Sequence, residues 1–539
     1  RRIRSKRNRR SSESQMVNIL GGFGKTTPTR HAAMKDMKKQ PAKKLILAVL
    51  AVGFGMALQP VADAQSGSGA VSMPSTLNTR IGPLQYDEGY PTKETVEKLY
   101  DEIDFQRACQ AYLWGFPLVS AASVRRGLFQ DVGATYNDFE MYPNYLDAKG
   151  LWLTGNTTTI YSAAIIDLAK DGPVVVEVPP GPTAGMFGDY WFVTTGVGAL
   201  GPDQGRGGKF LLVPPEYKGD LPKEGYFITP SRMNDTTFFI RGIVINGDVA
   251  GAVALLKKAR IYPYSQRDNP KPNRFFDLSN KPINTLEPEG LAFWKLLSDV
   301  INNNPVEDRD RFFLAMLKPL DIEKDKPFAP DDRQKKILEE GARVGKAVAQ
   351  ITSFSPRLAN VFYYPGKYWT NPMNFNTQQA SQQESQYYSE LDERLNYFYL
   401  GTWPNEAMNL PFPSKGQRYL ESFKDKDGAW LDGAKNYRLR VPANVPAKQF
   451  WSITVYDNLT RSLTQNGTNK AAITSYDKIK INDDGSADLY FGPKAPAGLE
   501  SNWVDTSASK GWFVWFRFYE PTETFFSKTW QLPDFELVK

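Results

Sequence analysis

The sequence predicts a mainly β chain in which a helical insert separates two antiparallel β modules. Three observations carry this. Apolar and polar residues alternate through each piece of the C-terminal run 448–539 (KQFWSITVYD, INDDGSADLYFG, SNWVDT, GWFVWFRFYEPTETFFSKTW), and turn residues separate the pieces. That is the period-two signature of half-buried strands. A second series of short apolar runs, at 172–178, 187–197, 208–213, 225–228 and 237–244, is divided by Gly, Pro and Asn clusters at the spacing of a sandwich or barrel. Between the two, residues 262–400 switch to helical periodicity.

Composition narrows the function classes. At 539 residues the chain is too long for one core. Aromatic residues make up 13%, which suits either a β-rich core or a ring-lined cleft. Of 66 Lys+Arg and 59 Asp+Glu, residues 1–64 hold 14 and 3, leaving 52 basic and 56 acidic side chains. The basic balance therefore belongs to the first 64 residues. The remainder has no global field that would draw it to nucleic acid, and none is expected as a partner.

The only His is His31 and the only Cys is Cys109. With the leader removed, a Ser-His-Asp triad, a Cys-His dyad and a His-ligated metal are excluded within one chain. No metal or cofactor is expected. One Cys permits no internal disulfide, and Cys109, inside ACQAYLWGFPLV, is expected as a small buried hydrophobe.

In chain order, residues 1–33 look unstructured: either a polybasic arm or an upstream stretch before a start at Met34 or Met37. An export signal follows. Lys38, Lys39, Lys43 and Lys44 are its positive region, LILAVLAVGFGMAL its apolar region, and Ala62-Asp63-Ala64 its small-x-small cleavage site. The apolar run is shorter than a membrane span needs. The expectation is a chain released to the periplasm or medium after Ala64, with no stable membrane anchor. Residues 65–91 read as a linker, 92–261 as the N-terminal β domain, 262–400 as the helical insert and 401–539 as the C-terminal β domain.

Thr92 opens a helix whose Val96, Leu99, Tyr100, Ile103 and Ala111 recur at helical spacing, and Gly115 and Pro117 are expected to end or kink it. Residues 247–261 read as a helix with Asp248 near its start. The stretch 262–282 reads as a proline-rich connector. Helices are expected at 288–303, 308–317, 331–351 and 378–398, and the polar stretch 371–386 as a loop or a lid. The glycine-rich GALGPDQGRGGKF opens no helix after a strand, so it is not a phosphate loop. Asp425-Lys426-Asp427-Gly428 lacks the twelfth-position glutamate of a calcium loop and reads as an acidic turn, and Asp483–Ser486 reads as a hairpin turn.

Two stretches carry a family resemblance. Phe450-Trp451-Ser452, Tyr456-Asp457, Asn482–Ser486, Asn502-Trp503, Phe516-Arg517, Tyr519-Pro521 and Trp530 with Pro533 resemble, in order, the domain of unknown function 1214. Asn156, Thr159, Tyr161, Asp167 and Leu168 resemble the Asn-x-Asp-Thr-x-Tyr box and following strand of the domain of unknown function 1254, with Thr158 where that box usually has Asp. The chain thus resembles exported bacterial proteins that pair the two. The resemblance implies two jelly-roll-like antiparallel β-sandwiches.

Without histidine, proton transfer falls to carboxylates, Tyr or Lys. The candidate acids are Asp167, Asp189, Glu140, Glu406 and Asp457. The candidate ligand contacts are Asn156, Tyr161, Arg241, Trp451, Tyr456, Asn502, Trp503 and Arg517. Arg241 and Arg517 lie inside apolar strands, where a buried guanidinium needs either an acid such as Asp457 or an anionic ligand. Two functions follow. The first is binding of a carbohydrate or small organic ligand, or assembly as a homo-oligomer. The second is a hydrolase or lyase working through two convergent carboxylates, one with a raised pKa.

Overall fold

The strand Trp512–Pro521 sits at the centre of the C-terminal half. It pairs antiparallel with Ala447–Asp457 on one side and Gln417–Ser422 on the other, and Ala472–Thr474 closes the edge. A second four-stranded sheet, in the order Trp503–Val504, Ala487–Phe491, Asn436–Val441 and Glu536–Val538, stacks on it. Trp512, Val514, Phe516 and Phe518 meet Leu439, Leu489 and Phe491 in one core. Each such side chain contributes roughly 1.5–3 kcal/mol by leaving water. The computed structural model describes residues 74–358, 361–375 and 389–538. The leader, His31, the start of the expected linker, residues 376–386 of the polar stretch 371–386 and the start of the helix expected at 378–398 lie outside the described residues.

The strand is not half-buried, as its alternation suggested. Nearly every residue from Trp512 to Pro521 is buried. The second parity, Phe513 and Trp515, belongs to another apolar cluster, formed with helices. A sheet covered on both faces needs apolar residues at both parities, which is what FVWFRF supplies. Asp483–Ser486 is a tight turn closed by Asn482 N–H to Ser486 O at 2.8 Å, but not a hairpin. The strands before and after it belong to different sheets.

The N-terminal half is also a sandwich. A six-stranded sheet runs Phe275–Asp277, Phe139–Met141, Ile160–Asp167, Asp235–Gly242, Thr183–Asp189, Thr194–Gly198. A four-stranded sheet runs Phe227–Pro230, Gly208–Val213, Val174–Val178, Arg260–Pro263. Ala164, Ile166, Phe238 and Ile240 of the first meet Val174, Val176, Phe210 and Leu212 of the second. Both sandwiches are mainly antiparallel, with parallel pairs at three sheet edges. Three sequence expectations change here. The expected strand 187–197 is two strands joined at Asp189–Val193, where Phe192 takes φ +62°. The expected helix 247–261 covers only Val249–Leu256, capped by Asp248, and the chain re-enters the sheet at Arg260. The proline-rich connector contributes an edge strand, Phe275–Asp277, because parallel pairing with Phe139–Met141 satisfies its backbone.

Helices fill the space beside the two sandwiches: Lys93–Gly127, Leu291–Asn303, Arg311–Leu317, Asp332–Phe354 and Leu391–Leu400. The first does not end at Gly115 or Pro117 but runs 35 residues through both. Every residue from Trp114 to Val124 is buried, so packing outweighs the local cost of proline, about 3 kcal/mol. Gly115 is needed for contact, since a Cβ there would lie 2.9 Å from Leu297. Gly345 likewise lets Asp332–Phe354 approach, because a Cβ would meet the Tyr112 ring at 2.5 Å. The apolar stripe Leu99, Tyr100 and Ile103 faces outward, since the helices pack further along, from Ala108 on. Cys109 is half-buried, and burial followed by Glu340 pushes its thiol up to about 11, so it is unreactive. Among the described residues no helix is long and apolar enough to cross a membrane.

Candidate functional site

The site follows from the second parity of the two inner sheets. On Asp235–Gly242, Phe238 and Ile240 enter the sandwich core, so Phe239 and Arg241 face the other way. On Trp512–Pro521, Trp515 and Arg517 do the same. These two outer faces enclose a cavity of about 350 Å³. Tyr161, Ala163, Phe239, Arg241 and Met186 line it from the N-terminal sheet, and Gln417, Tyr419, Trp515 and Arg517 from the C-terminal one. The loops Leu153–Asn156 and Thr402–Met408 complete the wall. Its size is within the range of small-molecule sites.

The walls are rings. Phe239 lies 5.0 Å from Tyr161 and 5.2 Å from Trp403, centroid to centroid. Tyr419 and Trp515 stand 5.4 Å apart on the facing side. Two wall residues hold left-handed backbone without being glycine, Thr154 at φ +41° and Trp403 at φ +50°. Such residues cost on the order of 1–3 kcal/mol each and gather at functional sites. Thr154 is clamped in place. Its N–H donates to Arg461 O at 2.8 Å, and its carbonyl accepts from Arg517 at 2.9 Å and from the Tyr456 hydroxyl at 3.2 Å.

Arg517 is 2% exposed. It donates to Thr454 Oγ1 at 3.0 Å and to Thr154 O, and its guanidinium lies 5.3 Å from the Trp515 ring. No carboxylate pairs with it among the described residues, and none pairs with Arg241. The expected ion pair with Asp457 does not form. Asp457 instead accepts from Leu459 N at 2.9 Å and Thr460 N at 2.8 Å, tying its own turn. Two cations thus face one aromatic cavity, neither of them in an ion pair with a described residue.

Two acids line the same cavity, Glu140 and Glu406. Glu140 is 1% exposed, and neither of its carboxyl oxygens has a hydrogen-bond partner among the described residues. Burial, with Asp138 as a smaller contribution, holds its pKa well above the ordinary value. Glu406 sits exposed on the loop, at the cavity wall.

The other sequence candidates disperse. Asn156 and Tyr161 line the cavity; Asn156 donates to the Tyr519 hydroxyl at 2.7 Å and accepts from Thr158 at 2.6 Å. Thr158, at the box's acid position, thereby helps seat the N-terminal loop on the C-terminal sheet. Tyr456 supports the wall from behind, donating to Gly155 O at 2.9 Å. Asp167 caps the short helix Leu168–Asp171. Asp189 lies outside the cavity and accepts from Val193 N; burial pushes it up to about 7, against Arg232 and Arg309. Trp451 stacks on Phe516 inside the C-terminal sandwich. Asn502 donates to Lys480 O and Asp488 O, and Trp503 donates to Gly492 O. Those three hold the sandwich together and are not among the cavity-lining residues. Phe239, Tyr419 and Trp515 were missed. Their signal was a bulky residue at each parity of one strand, which means both faces are covered. Among the described residues no cluster of three or more His, Cys, Asp or Glu is arranged to hold a metal.

Comparison with known proteins matches this division of the chain. The model of a protein of unknown function (DUF1254) matches residues 136–263, and that of a second protein of unknown function (DUF1214) matches 416–523. None of the curated proteins matches. The VPA0106 protein of Vibrio parahaemolyticus is similar in fold, at 19% identity and TM-score 0.51, over 81% of this chain and 100% of that one. An uncharacterized protein from Burkholderia cenocepacia aligns at 12% identity and TM-score 0.36, over 82% of this chain and 97% of that one. The chain therefore joins a domain of unknown function 1254 to a domain of unknown function 1214, in that order.

Proposed function

We propose that the protein binds a small organic acid in the cavity between its two sandwiches. The observation that carries this is the pair Arg241 and Arg517, which line one ring-walled cavity with no carboxylate partner among the described residues. A guanidinium keeps its charge under all physiological conditions and forms its strongest hydrogen bonds to a carboxylate. The ring walls then take the apolar body of the ligand. A neutral carbohydrate would not require the two cations. Isothermal titration with benzoate tests this: binding is expected with the wild type and is expected to weaken about tenfold or more in Arg241→Gln. Equal binding to both would remove the clamp from the proposal. Export, with cleavage after Ala64, belongs to the same proposal, supported by the leader's sequence; sequencing the N-terminus of protein recovered from the periplasm or medium tests it.

A second reading, a hydrolase or lyase, is favoured by one observation: Glu140 and Glu406 share the cavity, and Glu140 has the raised pKa of a general acid. Turnover of an ester or glycoside that disappears in both Glu140→Gln and Glu406→Gln would favour it.

A further inference from the structure

Glu140 is the group that ligand binding by the arginines leaves unused. It lies on the edge-side strand Phe139–Met141, with Phe139 and Met141 in the sandwich core and its own side chain on the cavity face. It is 1% exposed, and both carboxyl oxygens lack a hydrogen-bond partner among the described residues. A buried carboxyl without partners is costly in either protonation state, and far more so when ionised. It therefore stands as a neutral acid with one O–H to donate and a free oxygen to accept. Nothing in the fold uses it. Its neighbours across the sheet, Ala163 and then Phe239, offer it no polar atom from their side chains.

Its position relative to the clamp is given by strand register. Glu140 is opposite Ala163, and Ala163 is opposite Phe239, so Arg241 lies two strands over and one pleat along on the same face. That is on the order of 12 Å between Cα atoms. The small side chain of Ala163 keeps the face between them low, and the rings of Tyr161 and Phe239 flank it.

Resting on the carboxylate reading above, we propose that the ligand is an acid with a second polar group at its far end. Its carboxylate meets Arg241 and Arg517, a flat apolar body lies against the rings, and a hydroxyl or carbonyl hydrogen-bonds the Glu140 carboxyl. The class is a hydroxy- or oxo-substituted aromatic acid.

The test is isothermal titration of matched pairs, benzoate with 4-hydroxybenzoate and cinnamate with 4-hydroxycinnamate. The proteins are the wild type, Glu140→Gln and Glu140→Leu, each checked for folding by circular dichroism. In at least one pair the hydroxylated acid is expected to bind the wild type about tenfold tighter than the plain acid. Glu140→Gln, which keeps a donor and an acceptor, is expected to retain the preference. Glu140→Leu is expected to abolish it, so that the plain and the hydroxylated acid bind that variant alike. Equal affinities within both pairs on the wild type, or a preference that survives in Glu140→Leu, would overturn this inference and leave the carboxylate reading standing. Loss of the plain acid as well in a folded Glu140→Leu would assign Glu140 a structural role and overturn it too. If no acid binds the wild type at all, the carboxylate reading itself falls, and this inference with it.

Discussion

Two regions of the molecule bury arginine, and they do it in opposite ways. Arg461 and Glu287 are each 1% exposed at the side chain and form an ion pair. Arg461 also donates to Tyr399 O and Leu459 O, both at 3.1 Å, and lies 4.4 Å from the Tyr399 ring centre. Charge and hydrogen bonds are met within the protein, and the contact ties the C-terminal sandwich to the helical layer. Arg517 is as deeply buried but reaches only neutral oxygens, and Arg241 beside the same cavity is in no ion pair with a described residue. A buried cation with its counter-ion belongs to the architecture; the one left facing a void is what the ligand proposal rests on.

The contrast is open to measurement. Arg461→Ala leaves Glu287 buried without its partner and is expected to cost about 3–5 kcal/mol of stability in urea unfolding. A change under about 1 kcal/mol would break the distinction.

Next in size is a pH effect from a carboxyl that holds Trp515 of the cavity wall. Glu421 accepts from Trp515 Nε1 at 2.9 Å and Thr370 Oγ1 at 3.0 Å, and burial pushes it up to about 8 against these hydrogen bonds. The folded state therefore keeps a proton that the unfolded chain releases near its ordinary value of 4.5. Stability is full below that value and declines as pH rises toward 8. Glu421→Gln is expected to flatten the fall in unfolding free energy between pH 5 and 8, measured in urea, by on the order of 1–3 kcal/mol. An unchanged slope would show that Glu421 titrates normally.

Glu140→Leu is expected to raise stability by about 1–2 kcal/mol, because it removes an unpartnered buried carboxyl. A loss of stability would mean Glu140 has a structural partner after all. The smallest effect is expected for Arg241→Gln, which should move stability by less than about 0.5 kcal/mol while weakening benzoate. A large loss there would place Arg241 with Arg461.

The two β modules, the intervening helices and the Thr92 helix start were legible because each rests on local pattern. The helix through Gly115 and Pro117 was not, since what overrides both residues is contact with Leu297 and neighbours distant in sequence. The site was half legible. Asn156, Tyr161, Arg241, Arg517, Glu140 and Glu406 were all candidates and all line the cavity. Trp451, Asn502 and Trp503 looked equivalent to them, yet they bind their own sandwich. Parity along a strand puts Trp451 in the sandwich core and Arg241 and Arg517 on the cavity face, but only once it is known which parity faces which layer.

By itself the sequence determined the order of the two modules, the absence of histidine beyond residue 31 and the presence of arginine inside apolar strands. Those are properties of residue identity and short-range spacing. Only the tertiary structure decided that the second faces of two separate sheets enclose one cavity. It also decided that Arg461 meets Glu287 while Arg241 and Arg517 meet no described acid. Pairing of charges is a matter of distance in space, and Arg461 and Glu287 stand 174 residues apart along the chain.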